Sequence, residues 1–276
     1  EISACLVGSE MCIRDSIHAL RKAAPDAHIT MLVDEKLKDV VLFNPYLDEV
    51  VTIDKKGRDN SILSLWACSR HLSKLDFDVL INLHPNERCS FIDAMTSVKL
   101  HTGTTHKIFK WFWDVFTPLD RSMHAADMYL DVLQQLGVQN LSNNGLEIFP
   151  GEEHFLEAEL FWQEQNITDQ DKLIGFNIGS AVPTKRWPPE RFAEVADIFA
   201  AKGYKTVFFG GPMDEEMVAE ATGYMQTRPI IATGHFAIGG LAAAMRRCCL
   251  IITNDSGPMH VAISQKVPIV AMYGPV

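Results

Sequence analysis

No apolar stretch in this 276-residue chain approaches the eighteen or so residues that a membrane-spanning helix requires. The N-terminus also lacks a basic region followed by a long apolar one. A soluble protein is expected, or one that touches a membrane only peripherally. Basic residues are outnumbered, 25 Lys and Arg against 35 Asp and Glu, for a formal net charge of −10. That balance argues against a surface that coats nucleic acid, but it leaves room for a local basic pocket facing an anionic small molecule. None of the six cysteines (Cys5, Cys12, Cys68, Cys89, Cys248 and Cys249) has the C-x-x-C spacing of a zinc or thioredoxin-like site. Buried reduced thiols in a cytosolic, reducing compartment are expected. His101 and His106 have no carboxylate or cysteine at ligand spacing, so no metal site and no cofactor are expected. The full G-x-G-x-x-G spacing is missing as well, which disfavours an NAD-dependent dehydrogenase.

What remains is a globular composition, 47% hydrophobic and 22% charged, in a chain long enough for one large or two ordinary domains. Short β-branched runs alternate with helical periods, the pattern of parallel strands joined by crossover helices, so the fold class is α/β. In the first half, strands are expected at 27–33, 49–53, 79–83 and 98–102, with helices at 17–23, 35–43, 61–75 and 88–96. The pattern breaks over 103–122 and resumes with a helix at 123–136 that Gly137 ends. An acidic helix at 152–165 leads into a second set of strands at 173–178, 206–209, 229–232, 250–253 and 268–273. Helices at 189–201, 215–225, 239–246 and 258–264 separate them. This divides the chain into domains 1–150 and 151–276, with a ligand expected in a cleft between two α/β halves.

Two turns carry chemical information. The strand Leu250-Ile251-Ile252 runs into Thr253-Asn254-Asp255-Ser256-Gly257-Pro258-Met259-His260. Pro258 is expected as the first helical residue, with Ser256 or Gly257 as N-cap. Amide groups and the positive dipole end at such a terminus attract phosphate or carboxylate, although capping alone also accounts for Ser256. The second turn, from Asn177 to Pro189, places Lys185 and Arg186 where a diphosphate needs countercharge. Solvated loop charges are the plainer alternative. A third loop, Gly210-Gly211-Pro212-Met213-Asp214-Glu215, is similar to the glycine-bearing loops of nucleotide domains.

The stretch 174–276 contains the K-x-W-P turn at Lys185 to Pro188, the G-G-P loop, and N-D-S-G-P-M-H from Asn254 to His260 followed by P-I-V-A-M-Y-G-P. It closely resembles glycosyltransferase family nine, which contains the bacterial ADP-heptose:lipopolysaccharide heptosyltransferases. The run from Ala19 to Ala27, followed by 29–33, agrees more loosely with the family's first helix and second strand. The resemblance implies a GT-B architecture of two Rossmann-like domains, the first receiving the acceptor and the second the nucleotide-sugar. It further implies inverting, metal-independent transfer of a heptose or related sugar from a nucleotide-diphosphate donor to a lipopolysaccharide core. The implied setting is cytoplasmic, with peripheral contact at the cytoplasmic face of the inner membrane. By position, Thr184 and Lys185 contact the diphosphate, while Asp255, Ser256, Gly257, Met259 and His260 border the phosphate and donor sugar.

The chain also departs from the family. Cys12 stands where the family's G-D loop carries its aspartate base, and Asp15, three residues out of register, is the nearest candidate. The family proline before the Ala-Leu pair is His18 here. The run from Cys5 to Ser16 resembles a translated sequencing adaptor, and the last residues, Gly274-Pro275-Val276, follow a strand directly where the family continues with helices. An incomplete second domain is therefore expected, and with it an alternative reading, a catalytically inactive nucleotide-binding fragment or pseudoenzyme. Two further segments have open readings. The aromatic run 109–116 either meets an acceptor or membrane surface or packs in the core, and the segment 84–88 either faces the cleft or caps a helix.

Overall fold

The computed structural model describes residues 3–7, 14–54, 57–84, 86–104, 107–118, 125–139, 141 and 145–274. The chain forms two compact units, Glu1–Gly145 and Leu146–Val276. The first holds strands β1 (Ser3–Val7), β2 (His28–Asp34), β3 (Glu49–Ile53), β4 (Val79–Asn82), β5 (Leu100–Gly103) and β6 (Val115–Phe116). All pair in parallel, in the order β3-β2-β1-β4-β5-β6. Helices α1 (Arg14–Ala23), α2 (Lys38–Val41), α3 (Ile62–Ser73) and α4 (Glu87–Met95) lie between them, and α5 (Ala125–Gln135) follows β6. α3 packs on α4 and α1 on α5. One core joins Leu32, Ile53 and Leu80 of the sheet to Leu65, Leu72, Cys89 and Ile92 of α3 and α4.

The second unit repeats this plan without a visible sequence repeat. Strands β7 (Leu173–Asn177), β8 (Lys205–Phe209), β9 (Ile230–Ile231), β10 (Cys248–Asn254) and β11 (Ile269–Met272) form a parallel sheet in the order β11-β10-β7-β8-β9. The helices are α6 (Glu152–Glu164), α7 (Pro189–Ala201), α8 (Glu215–Tyr224), α9 (Ile238–Met245) and α10 (Gly257–Ser264). With helices on both faces, β7 is buried at every residue, which is why it reads as an apolar run without alternation. Phe176 and Phe208 stack at 5.2 Å in the core beneath α7 and α8, each side chain contributing about 1.5–3 kcal/mol by burial. Gly175 is small because a Cβ there would run into Ile251 and Phe209.

Most expected elements are present, with bounds shifted by one to three residues. The exceptions have local causes. The helix expected at 35–43 is a 3-10 turn (Glu35–Leu37) followed by the short α2, and the Asp34 carboxylate accepts from Lys36 N at 3.2 Å. The strand β1 was not expected, and neither was β6 within the break at 103–122, where residues 107–112 form a 3-10 helix. β10 begins two residues early because a register irregularity between Cys248 and Leu250 admits an extra residue. Cys248 is buried and Cys249 exposed, as neighbours on opposite faces of a strand, so the expectation of buried thiols fails at Cys249; Cys68 is half-buried and Cys89 buried. Burial pushes the Cys68 thiol up to about 11 and that of Cys248 higher still, so neither is a nucleophile at neutral pH.

A buried carboxyl lies under the first unit's sheet. Asp93 on α4 is fully enclosed, and Asn82, the last residue of β4, donates its amide to Asp93 Oδ2. Asn82 Oδ1 accepts from His84 N at 2.7 Å, and its carbonyl accepts from Thr104 N at 2.8 Å. Gly103 has φ +114°, and a Cβ there would strike the Asn82 backbone. Desolvation pushes the Asp93 carboxyl well above the usual carboxylate range, and the Asn82 hydrogen bond only partly opposes it. Because the folded state holds this proton more tightly than the unfolded state, the stabilisation is complete below pH ~4 and is lost as pH rises through the raised value. Asp93→Asn should therefore flatten the fall in stability between pH 5 and 8 and melt no lower than wild type at pH 8. Asp93→Leu, which strands the Asn82 amide, should lose about 1–3 kcal/mol at both. Thermal melts at the two pH values check both outcomes.

Candidate active site

In the order β11-β10-β7-β8-β9, successive connections run outward from β7 on one side and from β10 on the other. A doubly wound sheet opens a crevice at the carboxyl ends of such a strand pair. The two turns singled out in the sequence leave these two strands. Asn254, the last residue of β10, is buried and holds them together: its Nδ2 donates to Ile178 O at 2.7 Å and its Oδ1 accepts from Trp187 N at 3.0 Å. Asn177, the last residue of β7, reaches the other way, donating from Nδ2 to Ser256 Oγ at 2.9 Å and Thr253 Oγ1 at 3.2 Å. Ser180 Oγ lies 3.5 Å from Asp255 O. The third loop closes the far side. Asp214 accepts from Gly211 N at 2.9 Å, and its carboxylate fills the space where a Cβ on Gly179 or Gly210 would sit.

The expected donor residues are distributed as follows. Lys185 ends a 3-10 turn (Pro183–Lys185), and its Nζ lies 2.6 Å from Asp255 Oδ2, with the two side chains 22% and 21% exposed. Thr184 is exposed on the same turn. Arg186, read beside Lys185 as countercharge, turns its Nε back to Ser180 O at 2.8 Å and so braces its own loop. Ser256 is the N-cap of α10 in extended backbone, but its hydroxyl makes no capping bond and belongs to Asn177. Gly257 is the first helical residue and Pro258 the second, one place later than expected. Met259 is 3% exposed, so its side chain packs beneath the helix, where Tyr273 Oη lies 3.7 Å from its sulfur. His260 is half-buried on the first turn of α10. Asp15 belongs to the first unit, on α1, and its side chain lies outside the described residues.

Four residues that organise the site were not singled out: Asn177, Asn254, Asp214 and Gly274, whose backbone abuts Thr184 and Lys185 so closely that a Cβ would collide with them. The signal for the asparagines was available, since a polar residue that ends an apolar strand in the middle of a sheet must satisfy its amide locally. In the segment 84–88 the capping reading holds, for Asn86 Oδ1 accepts from Cys89 N at 2.7 Å. Among the described residues no group of three or more His, Cys, Asp or Glu could hold a metal ion.

Two doubly wound α/β units in succession, the second with a cation and a helix N-terminus at its switch point, agree with the GT-B plan of two Rossmann-like domains. The profile of glycosyltransferase family 9 (heptosyltransferase) matches residues 65–276. A family 9 glycosyl transferase from Veillonella parvula DSM 2008 is 52% identical, with a TM-score of 0.96 over 100% of this chain and 82% of its own. The ADP-heptose lipopolysaccharide heptosyltransferase II of E. coli shares the fold, with a TM-score of 0.83 over 100% of this chain and 86% of its own at 22% identity. Lipopolysaccharide heptosyltransferase 3 of E. coli K12 is 23% identical across 94% of this chain and 77% of its own length. The chain belongs to glycosyltransferase family 9, the heptosyltransferases, and is a glycosyltransferase.

Asn254 gives this site its own test. Asn254→Ala strands Ile178 O and Trp187 N inside the protein, so a loss of about 2–4 kcal/mol is expected from two unpaired groups. Asn254→Asp keeps the acceptor for Trp187 but turns a carboxylate toward the Ile178 carbonyl. Urea unfolding of both variants should show a lower midpoint with an unchanged slope.

Proposed function

We propose that the protein transfers a heptose, or a closely related sugar, from ADP-heptose to a lipopolysaccharide core acceptor, with inversion and without a metal ion. In this reading the second unit takes the donor and the first the acceptor. The acceptor is anchored in a bilayer, so the reaction belongs at the cytoplasmic face of the inner membrane. The observation that carries the reading is the meeting of Lys185 and Asp255 across the switch point of the second sheet. Family membership supplies the reaction class, and the E. coli relative of the same fold is by its name an ADP-heptose enzyme. No specific observation favours the inactive-fragment alternative.

The chemistry follows from charge. Transfer releases a nucleoside diphosphate, and negative charge builds on the β-phosphate oxygen that held the anomeric carbon as that C–O bond breaks. The Lys185 ammonium and the N-terminus of α10 at Gly257 offset that charge from fixed positions, so no reorganisation is needed as it develops. Before the donor arrives, Asp255 occupies the ammonium. When the diphosphate takes Lys185, the carboxylate is released to accept from hydroxyls of the donor sugar. Thr184 adds a hydroxyl on the diphosphate side, and Ser256 and His260 border the sugar. The acceptor hydroxyl must lose a proton to a base in the first unit, where Asp15 is the candidate.

Incubation of the protein with ADP-heptose and a core acceptor that lacks its heptose should release ADP. Absence of release with every nucleotide-sugar tried would overturn the proposal. Lys185→Ala removes a charge-assisted contact of roughly 1.5–3 kcal/mol and should weaken donor binding or turnover about tenfold to a hundredfold. The effect should sit toward the upper end, because the variant leaves Asp255 unpaired beside the diphosphate. Asp255→Ala should slow turnover while lowering stability by no more than about 1 kcal/mol, since partly exposed ion pairs contribute little. Melting temperature and initial rate measured on the same sample separate the two roles: a large fall in melting temperature with a normal rate would make Asp255 structural.

A further inference from the structure

Among the described residues Asp93 is the only Asp, Glu, Lys or Arg that is buried. Its carboxyl adds little to the packing of α4. The Ser69 hydroxyl of α3 donates to Ile92 O at 3.1 Å, and His101 Nε2 of β5 lies 3.1 Å from Asp93 O, so the α4 backbone is held on two sides without it. Asp93 Oδ1 has no hydrogen-bond partner among the described residues. An enclosed carboxyl with one oxygen unsatisfied stabilises a core less than an apolar side chain of similar size. What the carboxyl does is accept the Asn82 amide at Oδ2.

Asn82 stands at the first unit's own switch point. In the order β3-β2-β1-β4-β5-β6, connections run outward from β1 on one side and from β4 on the other, and Val7 and Asn82, which end these two strands, pair in register. From Asn82 a chain of hydrogen bonds follows the turn. Asn82 Oδ1 accepts from His84 N at 2.7 Å, His84 O accepts from Asn86 N at 2.8 Å, and Asn86 Oδ1 caps α4 by accepting from Cys89 N at 2.7 Å. The next two residues, Glu87 and Arg88, line a cavity of about 410 Å³ together with Asn60 and the apolar side chains of Ile62, Phe91 and Phe109. Arg88 Nη2 donates to Asn60 Oδ1 at 2.5 Å, which ties the first turn of α4 to the residue before the α3 cap. Because α4 starts where β4 ends, the cavity lies at the carboxyl edge of the first sheet, where a doubly wound sheet receives its ligand.

We propose that Asp93 is a positioning residue for the acceptor: through Asn82 it fixes the turn after β4, and with it the start of α4, in the arrangement that receives the acceptor sugar. Asn82 can hold His84 N only while its own amide is held, and Asp93 Oδ2 is the group that holds it. A sugar is bound through several hydroxyls that must each meet a partner at hydrogen-bond distance, so the turn that frames its site has to keep one conformation. That requirement accounts for a buried carboxyl that packing does not need. The inference rests on the reading that the first unit takes the acceptor, and it names the side chains that shape that side of the reaction.

The test measures binding of a deacylated lipopolysaccharide core that lacks its heptose to the full chain by calorimetry without donor, and then the rate of ADP release. Asp93→Leu strands the Asn82 amide and should weaken core binding, and raise the acceptor KM, about tenfold to a hundredfold. ADP binding and kcat at saturating acceptor should stay within about twofold, because the lost interaction is one of acceptor binding alone. Asp93→Asn keeps a carbonyl for the Asn82 amide and should restore core binding. Asn82→Ala releases His84 N and should reproduce the loss, so the outcome does not depend on one variant's folding. Ile92→Val, beside Asp93 in the same core, should lower the melting temperature and leave core binding unchanged. Wild-type affinity in Asp93→Leu overturns the proposal, as does equal weakening in Ile92→Val, failure of Asp93→Asn to restore binding, or no core binding by the wild type. Core binding without ADP release counts against the proposed function and leaves the positioning role standing. ADP release with an unchanged acceptor KM in Asp93→Leu counts against positioning alone.

Discussion

Asn254 is the residue on which the second unit's site depends. Backbone turns at the ends of β7 and β10 have no sheet hydrogen bonds to fix their spacing, and the side chain that bridges them is a buried amide satisfied at both ends. Once Ile178 and Trp187 are tied to Asn254, the intervening residues can place Lys185 against Asp255. Asn177 completes the arrangement by taking the Ser256 hydroxyl, so the start of α10 is positioned by a neighbouring strand instead of its own cap. A buried amide suits this task because leaving either end unpaired is more costly than the bond is favourable, which restricts the turns to one relative arrangement.

The first unit uses a related device. Asn82 ends β4, the strand that corresponds in sheet order to β10, and it too is fully buried and holds the backbone of the following turn. Its donor end goes to Asp93, a carboxyl that burial pushes well above the usual carboxylate range, where Asn254 uses a main-chain carbonyl. Both units thus place an asparagine at the same point of a doubly wound sheet. In each, the fourth strand leaves the centre and the chain must turn where two neighbouring connections diverge. Asn82 rests on a titratable group and Asn254 does not, so the stability of the two units should respond differently to pH.

Family membership accounts for the general plan, and the residues of this chain account for its particular features. The family match spans residues 65–276, and after residue 174 the turns, the G-G-P loop and the last strand converge on one crevice. The first unit is more individual. The outward face of α3 is apolar and basic where a solvated face would be acidic and polar, and the aromatic run 109–116 is divided between the core and the surface. The second unit's crevice is held by the buried amides of Asn177 and Asn254, while the first unit differs in its surface.

The α/β class, strands β2 to β5 and β7 to β11, and the two anion-facing turns were legible in the sequence because each depends on local signals. β-branched runs, prolines at helix starts and a basic pair after a strand act over a few residues. Strand β1 was not legible, since five residues, Ser3–Val7, carry too short a pattern and owe their place at the centre of the sheet to partners 25 and 75 residues away. The same limit applied at the site. The sequence placed Lys185 and Asp255 on separate turns, but it did not pair them, and it treated Arg186 as equal to Lys185 and Met259 as equal to its neighbours. Only the tertiary structure decided that Arg186 braces its own loop, that Met259 is buried and that Cys249 is exposed. Composition and local propensity set which elements form, whereas the direction of a side chain depends on strand register and on which buried polar groups must be satisfied, and both are properties of residues brought together across the sheet.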